Sequence, residues 1–409
     1  FMVISYIKKI RFLVNNSFYG PIIFFIFYFI FPFFLSIYFF EDIISSFFAF
    51  TFIFLALLII SEALFLILYN AINKSKYVYK KKIPFDKLIV EPHENLPFVY
   101  KKNFKSPPKE LLNFPLHPKK FYSAELITNK LGFFNGEEGN REIVLPKPQE
   151  LIRINCIGAS TTQNYLSHEN RNYSYPLELE RILKKRYNKK LEVNNFGTGG
   201  YTSLDLLKQL KLSLINTEPD FLILYHAYND IRSYLTPNFK PDYSHSRKNL
   251  SEIYNKFYIS SKIPEIPIRF FNYLINKWLP SNNRYGLLES ISKGEVNLDQ
   301  DITKGLKTYE SNLQKIINEC KNKKVKIILS TFCFNFHEKV KELNIHKKYN
   351  EIVKEENKII KDLTKKNNIL LVDANLTIPK DSSNFVDTIH FTPKGMNLLA
   401  NEISKSIDI

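Results

Sequence analysis

Two uncharged apolar runs near the start of the chain limit what it can fold into. Residues 21–40 hold no charged side chain, Glu41 and Asp42 follow, and residues 43–61 are again uncharged. Beyond Glu62 the apolar stretch resumes as far as Tyr69. A helix needs about twenty apolar residues to cross the hydrocarbon core of a bilayer. The two runs, joined by an acidic turn, predict a transmembrane hairpin. Its helices fall at about 21–40 and 43–69, within an N-terminal membrane region of residues 1–73. A cleaved signal peptide fits poorly, because its apolar core is only about 7–15 residues long and no second run follows. The competing reading is a buried hairpin of a soluble protein. Phenylalanine on every side of both runs disfavours it.

Charge sets the expected orientation. Lys8, Lys9 and Arg11 precede the first run, and Lys74, Lys76, Lys80, Lys81 and Lys82 follow the second. Basic flanks stay on the cytoplasmic side. The remainder of the chain is then expected in the cytoplasm, whereas a single true span would move it across. Pro32 suits a kink in the first helix. Glu62, inside the second run, is a candidate functional acid or an interfacial residue.

The chain has 409 residues and a net charge of +17. The lysines are spread along its length rather than clustered, so the charge reads as a solvated surface. No nucleic-acid partner is expected, because no recognised motif accompanies the charge. The three cysteines, Cys156, Cys320 and Cys333, form no Cys-x-x-Cys pair, so neither a zinc site nor a disulfide framework is suggested.

Residues 74–150 are rich in Lys, Pro and Asn and read as a connector with short strands that packs on the main domain that follows. From residue 151 the pattern changes. Short apolar strands at 151–157, 191–196, 221–225, 325–330 and 369–372 alternate with amphipathic helices at 175–187, 203–215, 302–321, 338–366 and 393–406. This alternation predicts an α/β domain over 151–409, in three α/β/α layers around a parallel sheet. Residues 231–300, rich in Tyr, Phe, Pro and Ser, interrupt the rhythm and read as an insertion after the third strand. Ligands of open α/β sheets bind at such strand ends, so the insertion is either a cap or a surface excursion.

Four segments carry the chemistry. The first strand ends in Gly158-Ala159-Ser160-Thr161-Thr162, which suits a nucleophile at a strand end or a plain helix cap. The second ends in Gly197-Thr198-Gly199-Gly200-Tyr201, where the glycines permit close approach and a backbone N–H can face an oxyanion. The third ends in Tyr225-His226-Ala227-Tyr228-Asn229-Asp230, whose Asn amide is a second candidate donor or part of a turn. Near the C-terminus stands Asp387-Thr388-Ile389-His390, followed by Pro393 at the start of a last helix. Neutral imidazole can take a serine proton and return it to a leaving group, and a carboxylate three residues earlier can fix its tautomer. Among eight histidines, His226, close to Asn229, is the competitor for the role of base.

Taken in order, these segments resemble the SGNH/GDSL hydrolase family over residues 151–409. Asn129–Gly132 is also similar to a preface found in bacterial members. The resemblance implies a flavodoxin-like α/β/α fold and a serine esterase that needs no cofactor and no metal. It implies Ser160 as nucleophile, His390 as base and then acid, and Asp387 as the group that orients His390. It implies an oxyanion hole made by the Ser160 and Gly200 backbone amides and the Asn229 side chain, with Gly199 the alternative to Gly200. Ala159 stands where the family pattern has Asp, and Ala227 where it has Gly.

The expected activity is cleavage of carboxylic esters through an acyl-enzyme intermediate. Expected partners are an acyl-ester small molecule, a lipid or an acylated glycan, together with the lipid bilayer. O-acyl transfer to glycan or lipid hydroxyls uses the same triad and is the alternative. A membrane-tethered binding protein without catalysis is the second alternative. The expected location is a bacterial-type cell membrane, with the catalytic domain cytoplasmic by flanking charge and extracytoplasmic by analogy with acyl-modifying members of the family.

Overall fold

The computed structural model describes residues 26–40, 42–73, 89–106, 109–110, 122–123, 126–163, 166–168, 171–250, 292–336 and 344–409. The chain divides into two compact units. One comprises residues 1–88 with 253–290, and the other residues 89–252 with 291–409.

In the first unit a π-helical turn, Ile26–Ile30, leads into helix α1, Phe31–Phe39. Helix α2, Ile43–Asn73, follows after a break at Phe40. Asp42 Oδ1 accepts the Ser45 N–H at 2.8 Å and satisfies one of the free amides at the start of α2. The Tyr28 hydroxyl donates to Ser61 Oγ, and the Phe29 and Phe54 rings meet at 5.5 Å, so the two helices touch. Among the described residues one helix, Ile43–Ile67, is long and apolar enough to cross a membrane; its mean hydropathy is 2.7 and 6% of it is buried. The first expected span is seen only as a shorter apolar helix, Tyr28–Phe39, and its residues 21–25 lie outside the described residues.

The second unit holds a five-stranded parallel sheet. Its strands are β1 (Ile152–Gly158), β2 (Leu191–Gly197), β3 (Phe221–Tyr225), β4 (Lys326–Ser330) and β5 (Leu370–Val372), in the order β2-β1-β3-β4-β5. All neighbouring pairs are parallel. Every residue of β3 is buried, as the continuous apolar run FLILY requires of a strand covered on both faces. The register is central to the site. Gly158 pairs with Gly197 on one side and with Tyr225 on the other, so three strands end level with one another.

The connecting helices bury one apolar stripe each. Helix α3 is a single turn, Ser160–Gln163, directly after β1. Helix α4 (Tyr175–Arg186) is capped by Ser174, whose side chain accepts the Leu177 N–H, and it buries Leu177, Leu179 and Leu183. Each such side chain contributes about 1.5–3 kcal/mol when fully buried. Helix α5 (Ser203–Leu212) begins with a reciprocal cap between Thr202 and Asp205. Helices α6 (Thr303–Asn322), α7 (Asn344–Asn367) and α8 (Pro393–Lys405) complete the unit. Helix α4 packs against α8, while α5 packs against α6 and α6 against α7.

Local departures from the expected boundaries have physical causes. Helix α5 stops at Leu212 rather than continuing to Ile215. The Ser213 hydroxyl bonds back to the Gln209 carbonyl at 3.1 Å, and a 3-10 turn, Leu214–Thr217, follows. That turn presents Thr217 to the sheet. Its carbonyl accepts from the buried Arg153 guanidinium, and its hydroxyl accepts from Asn155 at 2.7 Å. The start expected for α7 at 338 falls on residues 337–343, outside the described residues. Of the insertion expected at 231–300, residues 251–291 lie outside them as well, as do 74–88 and 111–121 of the connector.

Gly197 shows how tightly β2 abuts α3. A Cβ there would sit 2.1 Å from the Gln163 backbone nitrogen. Gly197→Ala is therefore expected to lower stability by about 1–3 kcal/mol through forced displacement of α3. Thermal unfolding midpoints of the two proteins check this.

Candidate active site

Ser160 opens α3 immediately beyond the level ends of β1, β2 and β3. The turn is closed by Thr162 and Gln163 N–H groups donating to the Ala159 carbonyl, at 3.1 and 2.9 Å. Asn195, on β2, donates from Nδ2 to the Gln163 carbonyl at 3.0 Å and fixes the far end of the turn. Among the described residues the Ser160 N–H has no acceptor.

The segment before α8 brings His390 to Ser160. The Phe385–Phe391 bridge and the bond from Val386 N–H to the His390 carbonyl (2.9 Å) fold it into a tight loop. Asp387 Oδ1 accepts the backbone N–H groups of Ile389 (2.8 Å) and His390 (2.7 Å). Its other oxygen, Oδ2, lies 2.7 Å from His390 Nδ1. His390 Nε2 lies 2.9 Å from Ser160 Oγ. With Nδ1–H donated to Asp387, Nε2 is left as the acceptor for the serine proton. Burial raises the Asp387 carboxyl, but the His390 imidazole and the backbone donors outweigh it and hold the group below the usual carboxylate range. The expected residues Ser160, Asp387 and His390 thus form one hydrogen-bonded chain.

The other two strand ends supply donors. Tyr201 N–H donates to the Thr198 carbonyl at 3.2 Å, and Gly200 between them has φ +82°, a conformation that favours glycine. Gly199 N–H is already held by Gln163 Oε1 (2.9 Å) and the Tyr100 hydroxyl (3.1 Å). Gly200 N–H has no acceptor among the described residues, so of the two neighbouring glycines it is the one whose donor is free. Asn229 spends one amide hydrogen on the Tyr201 carbonyl at 2.8 Å and keeps a second. The left-handed residue of this loop is Tyr228, at φ 47°, and not Ala227. The methyl of Ala227 is simply buried, so the departure from Gly costs no backbone strain there.

His226 is occupied elsewhere. Its Nε2 lies 2.7 Å from Asp230 Oδ2, in a pair with almost no exposed surface. Asp230 also accepts from Ser203 N–H and hydroxyl and from the Tyr243 hydroxyl. Burial raises this carboxyl too, and those partners, His226 first, bring it below its ordinary value. Sequence reading missed Tyr100, Gln163 and Arg247, the last of which donates to the Gly200 carbonyl at 3.1 Å. Local spacing carries no signal for these three, whose contacts are with residues remote in sequence. Among the described residues no group of three or more His, Cys, Asp or Glu side chains can hold a metal ion.

A family sequence model described as "GDSL-like Lipase/Acylhydrolase family" matches residues 156–398, more than half of the chain. The chain belongs to that family. It is accordingly an ester-cleaving hydrolase. Solved structures similar to it include an acetylxylan esterase from Geobacillus stearothermophilus, at 16% identity and a TM-score of 0.39, covering 63% of this chain and 94% of that one. A lipase/acylhydrolase from Enterococcus faecalis follows at 17% identity and a TM-score of 0.38, with coverage of 62% and 94%. A GDSL-like lipase from Bacteroides thetaiotaomicron has 14% identity and a TM-score of 0.34, with coverage of 62% and 86%. Likenesses this low carry no argument about substrate. No curated protein is similar enough to the chain to count as a match.

The Asp387 carboxyl, held low in the fold, contributes stability above its unfolded pKa of about 3.9. That contribution is lost as pH falls through the lower folded value. Asp387→Asn should therefore flatten the fall of the thermal midpoint below about pH 4 relative to wild type. Midpoints of both proteins measured across the acid range check it.

Proposed function

We propose that the chain is a membrane-anchored serine esterase that works through an acyl-enzyme. Ser160 attacks the ester carbonyl as His390 removes its proton, and the same imidazole then protonates the leaving alcohol. Asp387 holds the tautomer and stabilises the imidazolium. The N–H groups of Ser160 and Gly200 and the Asn229 amide take up the charge on the carbonyl oxygen. Water then enters, His390 acts as base a second time, and the acid leaves. The observation that carries this reading is the continuous chain Asp387 Oδ2–His390 Nδ1 (2.7 Å) and His390 Nε2–Ser160 Oγ (2.9 Å).

The proposed organisation is a membrane region, 1–73, with two transmembrane helices, a connector, 74–150, and a three-layer catalytic domain, 151–409, with an insertion at about 231–300. The two groups of helices described above favour three layers. The nearly unburied apolar surface of Ile43–Ile67 favours a bilayer as its solvent, since a core helix of a soluble protein would be covered. The basic residues on both flanks favour a cytoplasmic catalytic domain. Acyl transfer to a glycan or lipid hydroxyl needs the same residues, with the acceptor hydroxyl in place of water.

Ser160→Ala is expected to lower kcat on p-nitrophenyl acetate by about four orders of magnitude or more, and to abolish labelling by a fluorophosphonate probe. Unlabelled Ser160 in folded wild-type protein would sink the enzyme mechanism. Asn229→Ala should cost about 10²–10³ in kcat with intact folding. Since Cys156, Cys320 and Cys333 are all buried, a cysteine placed on the surface of the catalytic domain can be labelled in intact cells. Protection from an impermeant maleimide is the expected result, and labelling without lysis would move the domain across the membrane.

A further inference from the structure

The direction of the Gly200 N–H depends on one peptide. Thr198 and Tyr201 close a turn whose third residue, Gly200, has φ +82°, whereas Gly199 is not in the left-handed region. That is a type II turn, with the Gly199–Gly200 peptide at its centre. Types I and II differ by a rotation of that central peptide of about 180°. Two glycines on either side of it raise little steric barrier to the rotation. Once rotated, the Gly200 N–H points to the opposite side of the turn and is lost as an oxyanion donor.

Side chains grip the turn from both ends. On the exit side, Asn229 Nδ2 holds the Tyr201 carbonyl and Arg247 Nη2 the Gly200 carbonyl. On the entry side, Gly199 N–H is shared by Gln163 Oε1 and the Tyr100 hydroxyl, and that hydroxyl itself donates to Gln163 Oε1 at 3.0 Å. The need of Gly199 N–H for an acceptor fixes which way the Gln163 carboxamide faces. Among the described residues its buried Nε2 has no partner, so the contacts named here that set the orientation are those of the clamp. Gln163 belongs to the same helical turn as Ser160. Tyr100 comes from outside the family-matched stretch, out of the antiparallel pair Val90–Glu91 and Val99–Tyr100. Its ring is 8% exposed and packs against Phe98 and Phe134 at 6.1 and 5.2 Å.

We infer that Tyr100, acting with Gln163, is a positioning residue that locks the 198–201 turn to the nucleophile's own turn and keeps the Gly200 N–H aimed at the substrate oxygen. The inference rests on the proposed role of Ser160. Tyr100 touches no reacting atom. Its effect belongs to the transition state, where the oxyanion forms, and not to binding of the ester.

The test uses full-length protein in detergent with p-nitrophenyl acetate as substrate. Tyr100→Phe removes the hydroxyl and keeps the ring. It should lower kcat about tenfold, less than loss of a whole donor because Gln163 still holds Gly199, with KM within about twofold. Fluorophosphonate labelling of Ser160 should slow by a similar factor. Gln163→Met should give the same kcat-only loss, and the double variant should lose less than the product of the two. A folded Tyr100→Phe enzyme with wild-type kcat, or one changed in KM alone, overturns the inference while leaving the esterase mechanism standing. If Tyr100→Phe fails to fold, the Gln163→Met result decides by the same criteria. Wild-type turnover that Ser160→Ala leaves intact would bring down both readings.

Discussion

The parallel register at the end of β1 governs the rest of the site. Gly158 is level with Gly197 and with Tyr225, so the chain leaves three adjacent strands at one edge. Each exit carries one residue of the candidate site within four positions: Ser160 after β1, Gly200 after β2 and Asn229 after β3. A one-residue slip of β2 against β1 would move its side chains to the opposite face and carry Gly197 away from α3. The buried polar ladder beneath helps to specify the alignment. Asn194 donates to Asn155 at 3.1 Å, and the Arg153 guanidinium, fully buried, meets Glu192 at 2.5 Å. Such groups are expensive to bury unpaired, so registers that separate them are penalised.

The acid side of the site is organised on the same economy of donors. Asp387 uses one oxygen to shape its own loop and the other to orient His390. Asp230, after β3, is used differently: Oδ2 takes both His226 Nε2 and the Ser203 N–H, while Oδ1 accepts the Ser203 and Tyr243 hydroxyls. The result is a second Asp–His pair in which the serine bonds the aspartate and not the imidazole. Geometry therefore separates His390, whose Nε2 meets a serine, from His226, whose Nε2 meets its aspartate, although both stand near an acid in the sequence.

Much of this was legible in the amino-acid order. All five strands of the sheet were expected within a residue or two: β3 reads as an unbroken apolar run, and the others as short mainly apolar runs alternating with amphipathic helices. The helices were legible from their stripes, except where the Ser213 hydroxyl ended α5 early. Ser160, His390 and Asp387 could be named because the family pattern keeps them in fixed local company. In the sequence Gly200 is preferred over Gly199 only by its place before Tyr201-Thr202; the physical difference lies in which N–H is already taken, and the takers, Tyr100 and Gln163, are distant in sequence. Tyr100 itself gave no signal, because one aromatic residue in a Lys- and Pro-rich stretch looks like any other. The first apolar run was read as a full span, but the described residues show only a short helix there, and one helix in α2 long enough to cross.

His390 follows Ser160 by 230 residues. During synthesis the apolar helix α2 leaves the ribosome long before His390 does, and Ser160 waits beside an incomplete sheet. Closing so long a loop adds little entropic cost beyond that of a shorter one, but it cannot begin until His390 has been made. On the proposed roles, a nascent or truncated chain that lacks residue 390 carries Ser160 without its base. Competence to cleave an ester would then follow the emergence of the apolar segment suited to a bilayer.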